Sequence, residues 1–350
     1  MAQDEFEKLP EEGQEKKKKK SGCLIALIVA LVLVLVILIA AALGLNYVFG
    51  RLGRFENPVQ EGETIALIPE ETETDPVENV EGLESVDASD VVFETVDVLE
   101  GDVVNVMLIG QDRRPGEDRA RSDSMILVSV NKEKGTIQLT SFMRDLYVQV
   151  PGYQDTRLNA AYRYGGTDLM NETFKVNFGL EIDGNVMVDF DEFTEIIEIV
   201  GGVTLDISSA EAKYMNNASK NHFSAGSNYF NAEDALTFTR MRYAAGGDYG
   251  RTDRQRRVIM AIAYSLRDAD LVTIFNLIDQ VLPHIVTNLT DAQIIEYATT
   301  GLGILANGGQ IDTLRIPQDD AHYNANIRGM SVLVPNLEMC REDLQEFIYD

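Results

Sequence analysis

The chain has 350 residues with a net charge of −27, and 45% of its residues are hydrophobic. That balance supports a globular core and excludes nucleic acid as a partner, because a polyphosphate would be repelled by so acidic a surface. Leu24 to Leu45 is an uncharged run of Leu, Ile, Val, Ala and Gly. At about 1.5 Å per residue it spans roughly the ~30 Å hydrocarbon core of a bilayer. Lys16 to Lys20 precede it, which places the N-terminus in the cytoplasm. The run is longer than the apolar region of a cleaved signal, so an uncleaved single-pass anchor over 23–48 is expected, after a cytoplasmic tail over 1–22. Cys23 and Cys340 would then lie on opposite sides of the membrane and cannot pair with each other. Cys340 reads as a small apolar residue on a terminal helix.

From Phe55 to Asp102 there are many Asp and Glu, no Lys or Arg, and prolines at 58, 69 and 76. Like charges extend such a segment, so residues 49–100 read as an acidic disordered stalk. A short strand around Val91 to Val98 is expected to belong already to the folded domain. Residues 101–350 have the size of a single extracellular domain with its own core.

In that domain Val103 to Ile109, Met125 to Val130 and Thr136 to Ser141 alternate as strands, with a tight turn over Asn131 to Gly135. Paired as an up-down-up meander, they bring three charged clusters to one edge. Asp112, Arg113 and Arg114 follow the first strand, Arg121 and Asp123 precede the second, and Arg144 and Asp145 follow the third. Charged strand ends are ordinarily solvated, but carboxylates and guanidinium groups converging from three strands have the composition of a divalent-metal and phosphate site. Helical patterns follow over Thr167–Phe178, Asp191–Val200, Asn231–Thr239, Arg254–Arg267, Leu271–Val281, Asp291–Leu305 and Leu337–Tyr349. Strands are expected at Val203–Ile207, Gln310–Ile316 and Ser331–Val334. The fold class is α/β, an α-β-α sandwich with a central mixed sheet flanked by helices.

A second basic set crowds into Arg240, Arg242, Arg251, Arg254, Arg256 and Arg257, while no lysine occurs after Lys220. Arginine in place of lysine suits a bidentate grip on phosphate oxygens. Arg254 and Gln255 are expected to open a helix whose N-terminus favours an anion, with Arg256 and Arg257 on its solvent face. His222, His284 and His322 have no ligand spacing, so neither zinc nor a histidine nucleophile is indicated.

These motifs resemble one family. Asn105 to Asp123, with Gly110-Gln111-Asp112-Arg113-Arg114 and Arg121-Ser122-Asp123, is similar to the opening motif of the LytR–CpsA–Psr bacterial wall-polymer ligases. Ser141-Phe142-Met143-Arg144-Asp145 resembles their serine-x-proline-Arg-Asp element, with Met143 in place of the usual proline. Arg157-Leu158-Asn159-Ala160-Ala161-Tyr162, Val200-Gly201-Gly202-Val203, Arg240-Met241-Arg242 and Asp248-Tyr249-Gly250-Arg251, continuing to Arg254-Gln255, follow in family order.

The resemblance implies a Mg²⁺-dependent phosphotransferase that moves an anionic glycopolymer, of the teichoic acid kind, from undecaprenyl pyrophosphate to peptidoglycan. It implies Mg²⁺ on Asp112 and Asp123. The pyrophosphate falls to Arg114, Arg121, Arg144, Arg240 and Arg242, with Arg251, Arg254 and Gln255 nearby. Asp248 either orients an arginine or acts as base towards the acceptor hydroxyl, and Asp145 partners an arginine. Two other readings use the same residues or topology: a non-catalytic polyprenyl-pyrophosphate sensor, and a cell-envelope transcriptional regulator. The short cytoplasmic tail opposes the second of these.

Overall fold

The computed structural model describes residues 53–54 in their main chain, and 82–94, 96–111, 121–241, 247–267 and 269–350. Residues 1–52, with the expected anchor, lie outside the described residues, as do Asp112, Arg114 and Arg242. Among the described residues no helix is long and apolar enough to cross a membrane.

The meander forms as expected. Strand β2 (Val103–Gln111) pairs antiparallel with β3 (Ser122–Asn131), and β3 with β4 (Thr136–Phe142). Between β3 and β4 the Asn131 side chain accepts from the Lys134 N–H at 2.8 Å, and Gly135 adopts φ 64°, the left-handed geometry that closes the turn. After β4 the short strands β5 (Tyr147–Val148) and β6 (Thr156–Arg157) pair with each other outside the sheet. On one side β2 runs parallel to β7 (Gly184–Asp189), and on the other β4 runs parallel to β11 (Ile311–Ile316). The two-residue strands β10 (Val286–Thr287) and β1 (Gly53–Arg54) extend the sheet beyond β7, giving the order β1-β10-β7-β2-β3-β4-β11.

Each face of this mixed sheet carries its own apolar cluster, as the period of a strand requires. Met107, Ile109, Met125, Leu127 and Phe142 meet Phe174 and Phe178 of helix α1 (Leu158–Phe178). On the opposite face Ile126, Ile137 and Leu139 meet Ile259 and Met260 of a long later helix, together with Leu305 of another near residue 300. Helix α1 is interrupted at Gly165 and Gly166, whose dihedrals are not helical; the part beyond them is the expected Thr167–Phe178 helix, and a further helical stretch from Leu158 precedes it.

A second core lies beside the sheet. Helix α2 (Phe190–Ile199) and the hairpin of β8 (Val203–Ile207) and β9 (Gly226–Phe230) contribute Ile197, Leu205 and Phe230. Helices α3 (Ser209–Ala218) and α4 (Ala232–Thr239) add Met215 and Phe238, and Val258 comes from α5 (Gly247–Ser265). Both α2 and α3 start on capping boxes, Asp189 with Glu192 and Ser208 with Glu211.

Three further helices match the apolar periodicity closely: α6 (Leu271–Val281), α7 (Asp291–Ala306) and α8 (Leu337–Leu344), the last prolonged by a π-helical turn to Tyr349. Cys340 is fully buried in α8 and burial pushes its thiol up to about 12, in keeping with a small apolar role.

Residues given to the stalk by composition already belong to this body. Val86, Val91 and Phe93 pack on a cluster formed by Tyr147, Ala325, Val332 and Val334, and the Val86 N–H donates to the Asn326 carbonyl at 3.1 Å. Among the described residues of this stretch the expected strand over Val91 to Val98 does not form; a short 3₁₀ turn over Ala88–Asp90 stands just before it. Scattered apolar residues in an acidic stretch have no period, and only the surface that receives them reveals their use.

Candidate active site at one edge of the sheet

Strand register brings the charged segments together. Gln111 lies opposite Ser122 and Asp189, Met125 opposite Phe142, and Phe142 opposite Ile316. The ends of β2, β4, β7 and β11 and the start of β3 therefore share one edge. A register shift between Gly110 and Gln111 marks a bulge where β2 reaches it.

Arg144 follows β4 on a turn held at both ends. The Met143 N–H donates to the Ile316 carbonyl at 2.9 Å, and the Asn159 N–H donates to the Arg144 carbonyl at 3.2 Å. The first of these bonds is one that a proline could not make, so methionine fixes the turn by donation where the family's proline restricts φ. Arg144 donates from Nη1 to Asp123 Oδ1 at 2.8 Å, and its Nε lies 3.5 Å from Asp145 Oδ2. Asp145 Oδ1 lies 3.5 Å from Nε of Arg157, which donates to the Ser331 carbonyl at 3.1 Å. Burial works against the Arg144 charge, but Asp145, Asp123 and Asp248 outweigh it and raise its pKa. At Asp145 burial dominates, and the carboxyl is raised despite Arg144 and Arg157. Asp145 is thus the arginine partner expected of it.

Helix α5 starts at Gly247, seven residues before the expected Arg254. Its opening turns carry Asp248 and Arg251, 3.0 Å apart, and both act electrostatically on Asp145. Gln255 is two turns in, where its Oε1 accepts from the Ser124 hydroxyl at 3.1 Å. Arg121, just before β3, is pulled down to about 10 by burial and by the neighbouring Arg163 and Arg157, so positive charge is crowded at this edge. Arg240, exposed after α4, stacks its guanidinium 4.5 Å from the ring centre of Phe190, next to Asp189 at the end of β7. Asp123, Arg121, Arg144, Arg240, Asp248, Arg251 and Gln255 are all anchored by elements that end at, or pack on, this edge.

Arg254 is engaged elsewhere. Only 1% exposed, it donates to the Met241 carbonyl and faces Glu211 of α3 at 3.7 Å. The expectation for Arg256 and Arg257 is also corrected. Arg256 is buried beside Asp253, while Arg257 donates to Glu211 at 2.8 Å and lies over the Phe238 ring. The second core covers Arg254 and Arg257, and Arg256 is buried on the side of the helix that faces β11, so a polar face that reads as solvent-facing is in fact packed on both sides.

One cluster carries little sequence signal. The Tyr249 hydroxyl lies 2.7 Å from His322 Nε2, and His322 Nδ1 lies 2.8 Å from the Gln318 carbonyl. A carbonyl accepts only, so Nδ1 carries the proton and Nε2 accepts from Tyr249. Arg315 of β11 lies 4.1 Å from the Tyr249 ring centre. The position of Tyr249 between Asp248 and Arg251 was the only pointer, and His322 is distant in sequence.

The arrangement offers guanidinium groups for a dense anion and carboxylates for a hard cation. Among the described residues no three His, Cys, Asp or Glu side chains group as a metal site. Mg²⁺ typically takes one or two protein carboxylates and completes its shell with water and substrate phosphates. Asp123, with its side chain 30% exposed and one oxygen on Arg144, fits that donor set.

A model of the LytR_cpsA_psr family matches residues 70–346. The polyisoprenyl-teichoic acid–peptidoglycan teichoic acid transferase TagU of Bacillus cereus is 31% identical over 229 residues, 65% of this chain and 72% of the relative. TagV of Bacillus subtilis, of the same description, is 30% identical over 255 residues, 70% of this chain and 64% of the relative. The crystal structure of B. subtilis TagV superposes with a TM-score of 0.58 at 28% identity, covering 72% of this chain and 99% of that one. A structure of TagT bound to LI-WTA superposes with a TM-score of 0.59, covering 73% of this chain and 97% of that one; at 22% identity it speaks for the fold alone.

Proposed function

The chain belongs to the LytR–CpsA–Psr family, and from that premise we propose that it transfers an anionic, teichoic-acid-like glycopolymer from undecaprenyl pyrophosphate to peptidoglycan. The observation that carries this reading is the convergence of Asp123, Arg144 and Asp145 with Asp248 and Arg251 at one sheet edge.

In the reaction an acceptor hydroxyl attacks the polymer-bearing phosphorus. A phosphodiester bond forms, the bridging P–O bond to the lipid phosphate breaks, and lipid phosphate leaves with the electron pair. Arg144, Arg121 and Arg240 hold the pyrophosphate, joined by Arg114 and Arg242 from segments outside the described residues. Their planar forks match phosphate oxygens in pairs. Arg251 and Gln255 frame the site from α5, and Arg254 supports that helix from behind. Asp248 either takes the hydroxyl proton or keeps Arg251 aligned. Asp112 and Asp123 would hold Mg²⁺, which when bound neutralises charge growing on the phosphate oxygens. Lys16 to Lys20 and Leu24 to Leu45 support a single-pass anchor with the domain outside the cell, facing a membrane-borne donor and a wall-borne acceptor.

The test is donor turnover by the purified full-length protein across a Mg²⁺ titration, with peptidoglycan fragments as acceptor. Asp123→Ala is expected to abolish the Mg²⁺ response while leaving the melting temperature near that of the parent. Donor turnover that ignores both Mg²⁺ and Asp123 would remove the metal from this site. Absence of any transfer, with donor still bound, would favour the sensor reading.

A further inference from the structure

Tyr249, Asp253, Arg256 and Met260 recur at helical spacing and so form one row along α5. Beside this row runs β11, the last strand of the sheet order, whose outer edge pairs with no strand among the described residues. A cavity of about 510 Å³ opens here, lined by Asp253, Arg256, Arg257, Asp312, Thr313 and Phe347.

Arg256 is the unusual member. Its side chain is 8% exposed, its ion pair with Asp253 is long at 3.6 Å, and Nε and Nη1 make no hydrogen bond among the described residues. Arg315 adds positive potential next to it. A guanidinium so deeply buried and so weakly compensated draws an anionic group towards it. The other lining charges narrow the choice of ligand. Asp253 and Asp312 carry negative charge into the same cavity, and Arg257 is already held by Glu211 and Asp253, so the site suits a ligand that bears an amine as well as a carboxylate better than a polyanion. Thr313 and Asp312 are exposed on the free strand edge, where main-chain N–H and C=O groups are available to another amide backbone. Carboxylate, amine and amide backbone together describe a short peptide. Arg256 stands eight residues along α5 from Asp248, about 12 Å at helical rise.

We propose that this cavity receives the peptide portion of the peptidoglycan acceptor, with its carboxylate on Arg256 and its amine on Asp312. The inference rests on the transferase reading above and adds to it the means of presenting the acceptor hydroxyl.

The experiment is calorimetric titration of the full-length protein in detergent with three probes: an N-acetylmuramyl peptide, the same sugar without peptide, and a glycerol-phosphate oligomer. The muramyl peptide is expected to bind tighter than the bare sugar by about tenfold or more, the scale of one charge-assisted hydrogen bond. Arg256→Gln should erase that difference. Should this buried substitution unfold the chain, Asp312→Asn on the exposed strand serves instead. It should weaken the muramyl peptide and leave an amine-acetylated version unchanged. Equal binding of sugar and muramyl peptide, or displacement of the peptide by the glycerol-phosphate oligomer, overturns the inference. Donor cleavage measured on the same preparation separates the two readings. A protein that cleaves donor but does not prefer the peptide loses only the acceptor site. A protein that cleaves no donor loses both.

Discussion

Arg144 sits between Asp123 and Asp145 and is held from its carbonyl side by Asn159, so its fork has little freedom to wander. The adjacent carboxylates keep it charged against the cost of burial. Lysine at this position would keep the charge and lose the paired donors. Arg144→Lys should therefore lower donor turnover by about tenfold or more at saturating Mg²⁺, the scale of one lost charge-assisted hydrogen bond. Arg240→Lys should act in the same direction, because the stacking on Phe190 also depends on a planar cation. Steady-state kinetics of both variants check this, and unchanged rates in both would return the two side chains to ordinary surface roles.

At the scale of elements, α5 couples the candidate site to the second core, and Glu211 is the residue that ties it there. Glu211 completes the capping box of α3 and receives Arg254 and Arg257 from α5. Burial raises its pKa, but the Ser208 N–H and Arg257 more than offset this, and the folded value lies below the ordinary 4.5. The carboxylate's contribution is thus fully present above that ordinary value and is lost as pH falls through the folded one. Glu211→Gln leaves buried Arg254 without its carboxylate and Arg257 with only the longer Asp253 pair at 3.6 Å, and should cost roughly 3 kcal/mol at neutral pH. Denaturant unfolding at several pH values should show the gap closing as acid protonates Glu211 in the parent. A gap that persists unchanged into strong acid would rule out the charge as its source.

For the whole molecule, two boundaries matter. The folded body includes residues from about 82, because Val86, Val91 and Phe93 cover the Tyr147 cluster. A protein starting at residue 101 should unfold more readily than one starting at 82, by roughly 2 kcal/mol or more if two such side chains lose their burial. Equal midpoints would show that this cover is dispensable. The membrane boundary is tested by a reporter fused after Asp350, which should be active only outside the cytoplasm. Cytoplasmic activity would separate the candidate site from a wall-borne acceptor.

Much of this molecule was determined locally. Alternation in β2, β3 and β4 and the turn at Gly135 set a meander whose charged ends must share an edge, since hydrogen bonding between neighbours leaves no other arrangement. Helices α6, α7 and α8 follow from apolar periodicity alone. Tertiary structure decided what that periodicity cannot carry. A helix rich in arginine looks solvent-facing until Glu211 and the second core are placed against Arg254 and Arg257, and β11 beside Arg256, so these three could be located only in the folded chain. Tyr249 and His322 meet because β11 and the hairpin of β12 (His322–Ile327) and β13 (Met330–Pro335) return to the opening of α5. Local sequence encodes which residues prefer a strand or a helix; which charges become partners depends on surfaces brought together from distant parts of the chain.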